Sequence, residues 1–120
     1  MIVGIGTDLV EISRIQKMIS RHKTLNRIFT TNELSDANNN ATTLAGNFAV
    51  KEAVSKVFGT GFFGVEANEI EVLRDHKGKP YVKLYGQAEK MAENLKIEKI
   101  HISITNTGKY TQAFAIGECL

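Results

Sequence analysis

The sequence predicts one small α+β domain in which a largely antiparallel sheet packs against a long central helix. Periodic segments follow in the order strand, helices, two strands, helix, two strands, and this order is typical of an α+β domain. The last four strand candidates form two pairs, joined by the turn-rich segments 75–80 and 106–109, as in β-hairpins. A chain of 120 residues with 42% hydrophobic content suits one core and not two. We therefore expect a single domain over residues 1–120.

The first strand is expected over Met1–Val10, which is apolar and rich in β-branched residues. A short amphipathic helix should follow from Glu11, because apolar residues recur there at intervals of three and four. They are Ile12, Ile15, Met18 and Ile19, and a basic stripe formed by Arg14, Lys17 and Arg21 occupies the other side of the helix. Thr30 and Glu33 have the spacing of a capping box, which predicts a second helix start. The polar segment 36–43 is expected to be a short loop.

The strongest helix signal covers Thr43–Phe58, with Gly59 as its C-terminal stop. The elements expected after it are strands at 69–74 and 81–84, a helix at 87–95, and strands at 99–105 and 111–118. The central helix, flanked by these strands, should cover one face of the sheet.

Charge and cysteine content exclude several classes of function. Fifteen Lys and Arg against thirteen Asp and Glu give a net charge of +2, well below the basic excess of a typical nucleic-acid-binding domain. The single cysteine, Cys119, cannot form an internal disulfide. Nothing in the sequence resembles a targeting segment, and it contains no apolar run of about 18 residues that could span a membrane, so we expect neither. We expect a cytoplasmic protein that binds neither nucleic acid nor membrane.

Three charged residues are candidates for chemistry. Asp8 lies within an apolar strand, so its carboxylate must be hydrogen-bonded, paired or placed on a cation. Capping of the next helix is an equally good interpretation. Glu52 lies in the middle of the most apolar helix, four residues before Lys56, which puts both on one helix face. An ordinary surface ion pair has the same spacing.

Three segments together decide between these interpretations. They are Gly4-Ile5-Gly6-Thr7-Asp8 at the start, Lys51-Glu52-Ala53-Val54-Ser55-Lys56 in the central helix, and Gly59-Thr60-Gly61 at its end. In content, order and spacing they resemble the holo-[acyl-carrier-protein] synthase family of phosphopantetheinyl transferases. The resemblance continues through Gly78-Lys79-Pro80 into the last hairpin and so covers nearly the whole chain.

The resemblance implies the 4′-phosphopantetheinyl transferase fold and the transfer of 4′-phosphopantetheine from coenzyme A to a serine of an acyl carrier protein. It implies that Asp8 and Glu52 bind Mg²⁺, which prefers carboxylates together with water and phosphate oxygens. Lys56 would neutralise charge on the phosphate that is transferred. Glu52 would also help to remove the serine proton, either directly or through a water molecule.

Further residues are assigned by the same resemblance. The set expected to bind coenzyme A is Lys51, Ser55, Gly59, Asn106 and Thr107. Lys51 points about 100° away from Glu52 around the helix, so a surface position or a position at the edge of a phosphate would fit it equally. The basic stripe of Arg14, Lys17 and Arg21 would bind the acidic carrier protein, unless it is only a solvated helix face. Family members form trimers, so a homotrimer is expected.

The sequence departs from the family at the nucleotide end of coenzyme A. Relatives tend to carry histidine at Asn106, arginine at Asn47 and basic residues near 38–41. Charge-assisted contacts are about twice as strong as neutral ones, so these losses predict a weak hold on the 3′-phosphate. Two alternatives therefore stay open. They are a diverged, weakly active relative that binds a carrier protein and, in another class, a small nucleic-acid-binding α+β module.

Overall fold

The computed structural model describes all 120 residues. The strands are β1 Ile2–Glu11, β2 Ile70–Arg74, β3 Pro80–Leu84, β4 Lys99–Asn106 and β5 Tyr110–Glu118. The helices are α1 Ile12–Met18, α2 His22–Ile28, α3 Thr31–Ala37, α4 Ala41–Val57 and α5 Gly86–Asn94, with a short 3₁₀ helix at Ala67–Glu69. The predicted α+β architecture with a long central helix is confirmed.

Two antiparallel sheets organise the strands. The larger has the order β1-β5-β4, and the smaller is the β2-β3 hairpin. In the larger sheet Asp8 lies opposite Ala113, which in turn lies opposite Ile104. The β2-β3 pairing places Arg74 opposite Pro80, at the turn end of the hairpin.

Helix α4 crosses the inner face of the three-stranded sheet, and glycines make this close approach possible. A Cβ atom added at Gly4 would lie 2.6 Å from the carbonyl oxygen of Val57, and one at Gly6 would overlap that of Ala53. These distances are shorter than van der Waals contact, so only glycine fits there. Twelve of the 17 residues of α4 are buried, which makes it the centre of the core.

The outer face of the same sheet has no helix over it. Ile5 is 65% exposed, Leu9 61% and Phe114 50%. Ile5, Thr7 and Leu9 lie on the same face of β1, because every second residue of a strand points to the same side. Thr7 pairs with Phe114 on β5, so Ile5, Leu9 and Phe114 belong to one continuous apolar patch. We call this set the outer apolar face. Patches of this kind on a small domain commonly bind another protein surface.

The structure differs from the sequence prediction between residues 19 and 43. Helix α2 was not predicted, because its short, polar sequence contributes only Leu25 to the buried core. The expected loop at 36–43 is mostly helical. Asn38 ends α3 in the left-handed conformation with φ of 46°, and Asn40 caps α4 by accepting a hydrogen bond from the Thr43 amide at 3.0 Å. The asparagine run therefore consists of helix caps.

No helix of this fold has the length and apolar character to cross a membrane.

Candidate active site

Asp8 and Lys56 meet where α4 passes over β1. The ammonium group of Lys56 donates a hydrogen bond to the carbonyl oxygen of Thr7 at 2.8 Å and lies 3.3 Å from a carboxylate oxygen of Asp8. The Lys56 side chain is 51% exposed and that of Asp8 20%. Asp8 makes no capping bond to α1, whose N-cap residue is Glu11. This position favours the chemical interpretation of Asp8 over helix capping.

Glu52 joins this group from the same side of α4. Burial raises the pKa of Glu52, and the negative charge of Asp8 raises it further, while Lys56 and Arg14 act in the opposite direction. The two carboxylates thus influence each other, and two cations partly compensate them. Glu52 and Lys56 form no ion pair of their own, so the interpretation as a surface pair is wrong. Two carboxylates and an ammonium group next to solvent are suited to binding a metal ion and a phosphate.

The structure corrects the assignment of Lys51 to coenzyme A binding. Its side chain is fully buried and lies 2.7 Å from a carboxylate oxygen of Glu33, which is also fully buried. The ammonium group further donates to the carbonyl oxygens of Ile70 at 2.5 Å and Ala67 at 3.1 Å. Burial lowers the pKa of Lys51 and raises the pKa of Glu33. The charge of the partner opposes the shift in both residues but is the smaller effect. Lys51 therefore joins α4 to α3 and β2 inside the protein and does not reach a ligand.

Ser55 is corrected for the same reason. It is fully buried, and its hydroxyl donates a hydrogen bond to the carbonyl oxygen of Glu52 at 2.6 Å. The charged and polar residues of the motif around Glu52 thus lie in two different environments. Lys51 and Ser55 face the interior, and Glu52 and Lys56 face β1 and solvent.

Gly59 is exposed just beyond α4 with a φ of 83°, and it ends the helix as predicted. Asn106 and Thr107 are exposed at the β4–β5 turn. The Thr107 hydroxyl oxygen accepts hydrogen bonds from the Tyr110 amide at 3.0 Å and the Lys109 amide at 3.2 Å. These positions leave the three residues accessible to a ligand, and their assignment to coenzyme A stays a prediction.

Sequence reasoning missed two cations near Asn106. A cleft between the β2–β3 turn and the end of β4 is lined by both Arg74 and Lys79 as well as Asn106. Arg74 donates a hydrogen bond of 2.6 Å to the side-chain oxygen of Asn47, which is buried in α4. A signal was present in the sequence. The predicted hairpin places the end of its first strand, Arg74, beside the Gly-Lys-Pro segment.

The three basic residues predicted to bind a partner are all exposed. Arg14 and Lys17 lie on α1, which ends at Met18, while Arg21 lies at the N-terminus of α2. The stripe is therefore broken between two helices. Arg14 also lies 5.4 Å from the centre of the Phe48 ring, a cation–π distance, and its charge lowers the pKa of Glu52. Of the three, Arg14 is the one whose charge acts on Glu52.

Comparison with known proteins agrees with this geometry. A sequence profile of the 4′-phosphopantetheinyl transferase superfamily matches residues 4–115. The holo-[acyl-carrier-protein] synthase of Lachnoclostridium phytofermentans is 52% identical over 120 residues, which cover all of this chain and 98% of that protein. The chain belongs to the holo-[acyl-carrier-protein] synthase family.

Crystal structures of family members have the same fold. That of the Neisseria meningitidis synthase is 32% identical with a TM-score of 0.88, over 98% of this chain and 99% of that one. The synthase of Bacillus anthracis, solved in complex with CoA (3′,5′-ADP), is 35% identical with a TM-score of 0.83, over 100% and 99% of the two chains. The expectation of this family and fold is confirmed, and the alternative of a nucleic-acid-binding module is wrong.

Proposed function

We propose that this chain transfers the 4′-phosphopantetheine arm of coenzyme A to a serine of apo-acyl carrier protein in fatty acid biosynthesis. The products are holo-acyl carrier protein and adenosine 3′,5′-bisphosphate. The observation that carries the proposal is the convergence of Asp8, Glu52 and Lys56 beside β1 in a chain of this family. Two carboxylates and one ammonium group are the parts that phosphoryl transfer needs around its charged oxygens.

Mg²⁺ is the metal that these residues fit. The charge of Asp8 acts on Glu52, and no third His, Cys, Asp or Glu joins them. Mg²⁺ is typically held by one or two carboxylates, with water and substrate phosphates as its other ligands. Asp8 and Glu52 would hold the ion. When bound, it supplies positive charge to the phosphate oxygens.

Lys56 and Glu52 perform separate tasks in the transfer. The Thr7 carbonyl oxygen holds the ammonium group of Lys56 in place, so its charge is already positioned to stabilise the phosphate that is transferred. The serine oxygen forms a bond to the β-phosphorus as the bond from that phosphorus to the leaving bisphosphate breaks. Glu52 receives the serine proton. Its position on the same side of α4 as Lys56, beside Asp8, would allow it to take this proton directly or through a water molecule.

The carrier protein binds across α1 and the start of α2 in this proposal. Arg14, Lys17 and Arg21 are exposed there, and an acidic partner would be steered to them by charge complementarity. Arg14 belongs to this basic surface, and its charge also acts on Glu52. The same surface thus leads from the partner to the reacting groups.

A homotrimer is also part of the proposal, and two observations support it. The outer apolar face is exposed in the single chain. Moreover, Asn47 and Glu52 are five residues apart on α4, which corresponds to about 140° around the helix. Asn47 points to Arg74 on β2, whereas Lys56 reaches Asp8 on β1. The two polar sites lie on different flanks of α4, and in the proposed trimer one coenzyme A would contact both across a boundary between copies.

We place the reaction in the cytoplasm, since a chain whose single cysteine, Cys119, cannot form an internal disulfide gives no reason to invoke an oxidising compartment.

The test is an assay of transfer to a purified apo-acyl carrier protein, in which mass spectrometry measures the increase in mass of the carrier protein. Asp8→Ala and Glu52→Ala should each abolish transfer at saturating Mg²⁺, whereas Glu93→Ala, an exposed carboxylate on α5, should leave it unchanged. Near-normal turnover of either site variant would refute the assignment of that residue. Slow transfer by the unmodified chain with every carrier protein tried would favour the weakly active relative. Light scattering should give the mass of three chains, and a monomer would contradict the trimer.

A further inference from the structure

The cleft at the end of β4 is positively charged. It has a volume of about 340 Å³, and its polar lining consists of Arg74, Lys79, Ser103 and Asn106. Two of these side chains are cationic, and none of the lining residues is acidic. Such a concave surface is suited to an anion, since both charge and hydrogen-bond donors are available.

Arg74 is the fixed cation of the cleft. Its guanidinium donates to the side-chain oxygen of Asn47 at 2.6 Å, and Asn47 is only 2% exposed. An arginine has five N–H donors, so this one bond orients the group and leaves four donors for a ligand. Burial lowers the pKa of Arg74, and the charges of Glu33 and Asp36 oppose this shift. Arginine stays protonated in proteins under such conditions.

The phosphates of coenzyme A form two separate groups, the pyrophosphate and a phosphomonoester at the ribose 3′ position. The site of Asp8, Glu52 and Lys56 suits the pyrophosphate. The 3′-phosphate carries up to two charges and requires a second group of cations. Among the four principal clefts of the structure, that of Arg74 and Lys79 has two cations and no carboxylate in its lining.

We infer that Arg74, oriented by Asn47, is the residue that binds the 3′-phosphate of coenzyme A in this chain, with Lys79 as the second cation. This inference rests on the proposed function. It reverses the expectation that the 3′-phosphate is bound weakly. That expectation rested on the residues at positions 47 and 106, whereas Arg74 approaches both of them from β2. Arg74 is then a specificity-determining residue, and Asn47 is a positioning residue.

The experiment compares coenzyme A with 3′-dephospho-coenzyme A, by calorimetric binding and by kcat/KM. The unmodified chain should prefer intact coenzyme A by at least about tenfold, which corresponds to one charge-assisted contact. Arg74→Gln should remove most of this preference by raising KM for coenzyme A, with little change in kcat or in the binding of the dephospho analogue. Lys77→Gln is the matched control, because Lys77 is exposed in the same turn and does not line the cleft.

Two further variants separate binding from structure. Arg74→Lys keeps the charge without the planar fork and should retain part of the preference. Asn47→Asp adds a carboxylate that competes with phosphate for Arg74 and should lower the preference, mainly through a higher KM for intact coenzyme A. If Arg74 were merely structural, its variants would weaken the binding of both cofactors equally.

An unmodified chain with no preference would overturn the inference, and so would an Arg74→Gln variant that keeps it. Failure of the proposed function gives a different result, since the unmodified chain would then transfer nothing to a carrier protein with either cofactor.

Discussion

Replacement of Lys51 by methionine should destabilise the protein severely, although this lysine is not part of the site. The substitution keeps most of the side-chain length but removes the ammonium group. Glu33 then remains as a buried carboxylate without its cation, and the carbonyl oxygens of Ile70 and Ala67 lose their donor. Lys56→Met is the natural comparison, since it lies on the same helix and also contacts a carboxylate, but that pair is exposed to solvent.

The size of the effect follows from the burial of the pair. Two charges 2.7 Å apart attract by about 6 kcal/mol at an effective dielectric constant of about 20, and this attraction offsets the desolvation of both groups. Removal of one partner from a buried pair typically costs about 3 to 5 kcal/mol. The exposed pair of Lys56 and Asp8, 3.3 Å apart, should contribute less than about 1 kcal/mol. Typical small domains have only about 5 to 15 kcal/mol of stability.

Urea unfolding at pH 7 and fixed protein concentration measures both variants. We expect the free energy of unfolding to fall by about 4 kcal/mol for Lys51→Met and by less than about 1 kcal/mol for Lys56→Met, which should instead lose transfer activity. The double variant Glu33→Gln with Lys51→Met leaves no buried charge. Its loss in free energy of unfolding should therefore be smaller than the sum of the losses of the two single variants. A loss below about 1 kcal/mol in Lys51→Met would refute the reasoning.

Three other predictions test separate parts of the molecule. Lys17→Glu with Arg21→Glu should raise KM for the carrier protein several-fold and leave KM for coenzyme A unchanged; an unchanged KM for the carrier would make these residues a plain solvated surface. Gly6→Ala should cost about 1 to 3 kcal/mol of stability, because its Cβ overlaps α4, whereas Gly108→Ala, with open space around it, should be neutral in the same unfolding assay. Burial alone would raise the pKa of Glu71, but its hydrogen bonds from neighbouring side chains outweigh this and lower it below 4.5. Its contribution to stability is therefore present above pH 4.5 and lost as the pH falls through the lowered value, so Glu71→Gln should lose less stability than the unmodified chain across that acid range.

The fold was predictable where sequence periodicity determines structure. The strand at β1, the long helix α4 and both hairpins have clear periods, and Thr30 and Glu33 do form the capping box. Helix α2 was missed because a seven-residue helix with one buried leucine has almost no periodic signal. Its stability comes from tertiary packing, which local sequence does not encode.

The site was predictable to the extent that its residues are close in sequence. Glu52 and Lys56 are one helical turn apart, and the family motif marks them together with Asp8. The cleft was not predictable in the same way, because Arg74 on β2, Asn47 on α4 and Asn106 on β4 meet only in the folded chain. The sequence showed that Arg74 ends a strand beside the Gly-Lys-Pro segment, but it did not show that Arg74 reaches Asn47 on α4.

The segment from Lys51 to Lys56 combines two different structural roles within little more than one turn of α4. Two lysines on a single helix have opposite environments: Lys51 is fully buried against Glu33, and Lys56 is half exposed beside Asp8. The buried pair fixes α4 against α3 and β2, and this orientation turns Glu52 and Lys56 toward β1. Substitution of the inner residues would therefore move the outer ones, and substitution of the outer ones would remove the chemistry. Within these six residues, Lys51 and Ser55 thus serve the core, while Glu52 and Lys56 lie where the proposed chemistry needs them.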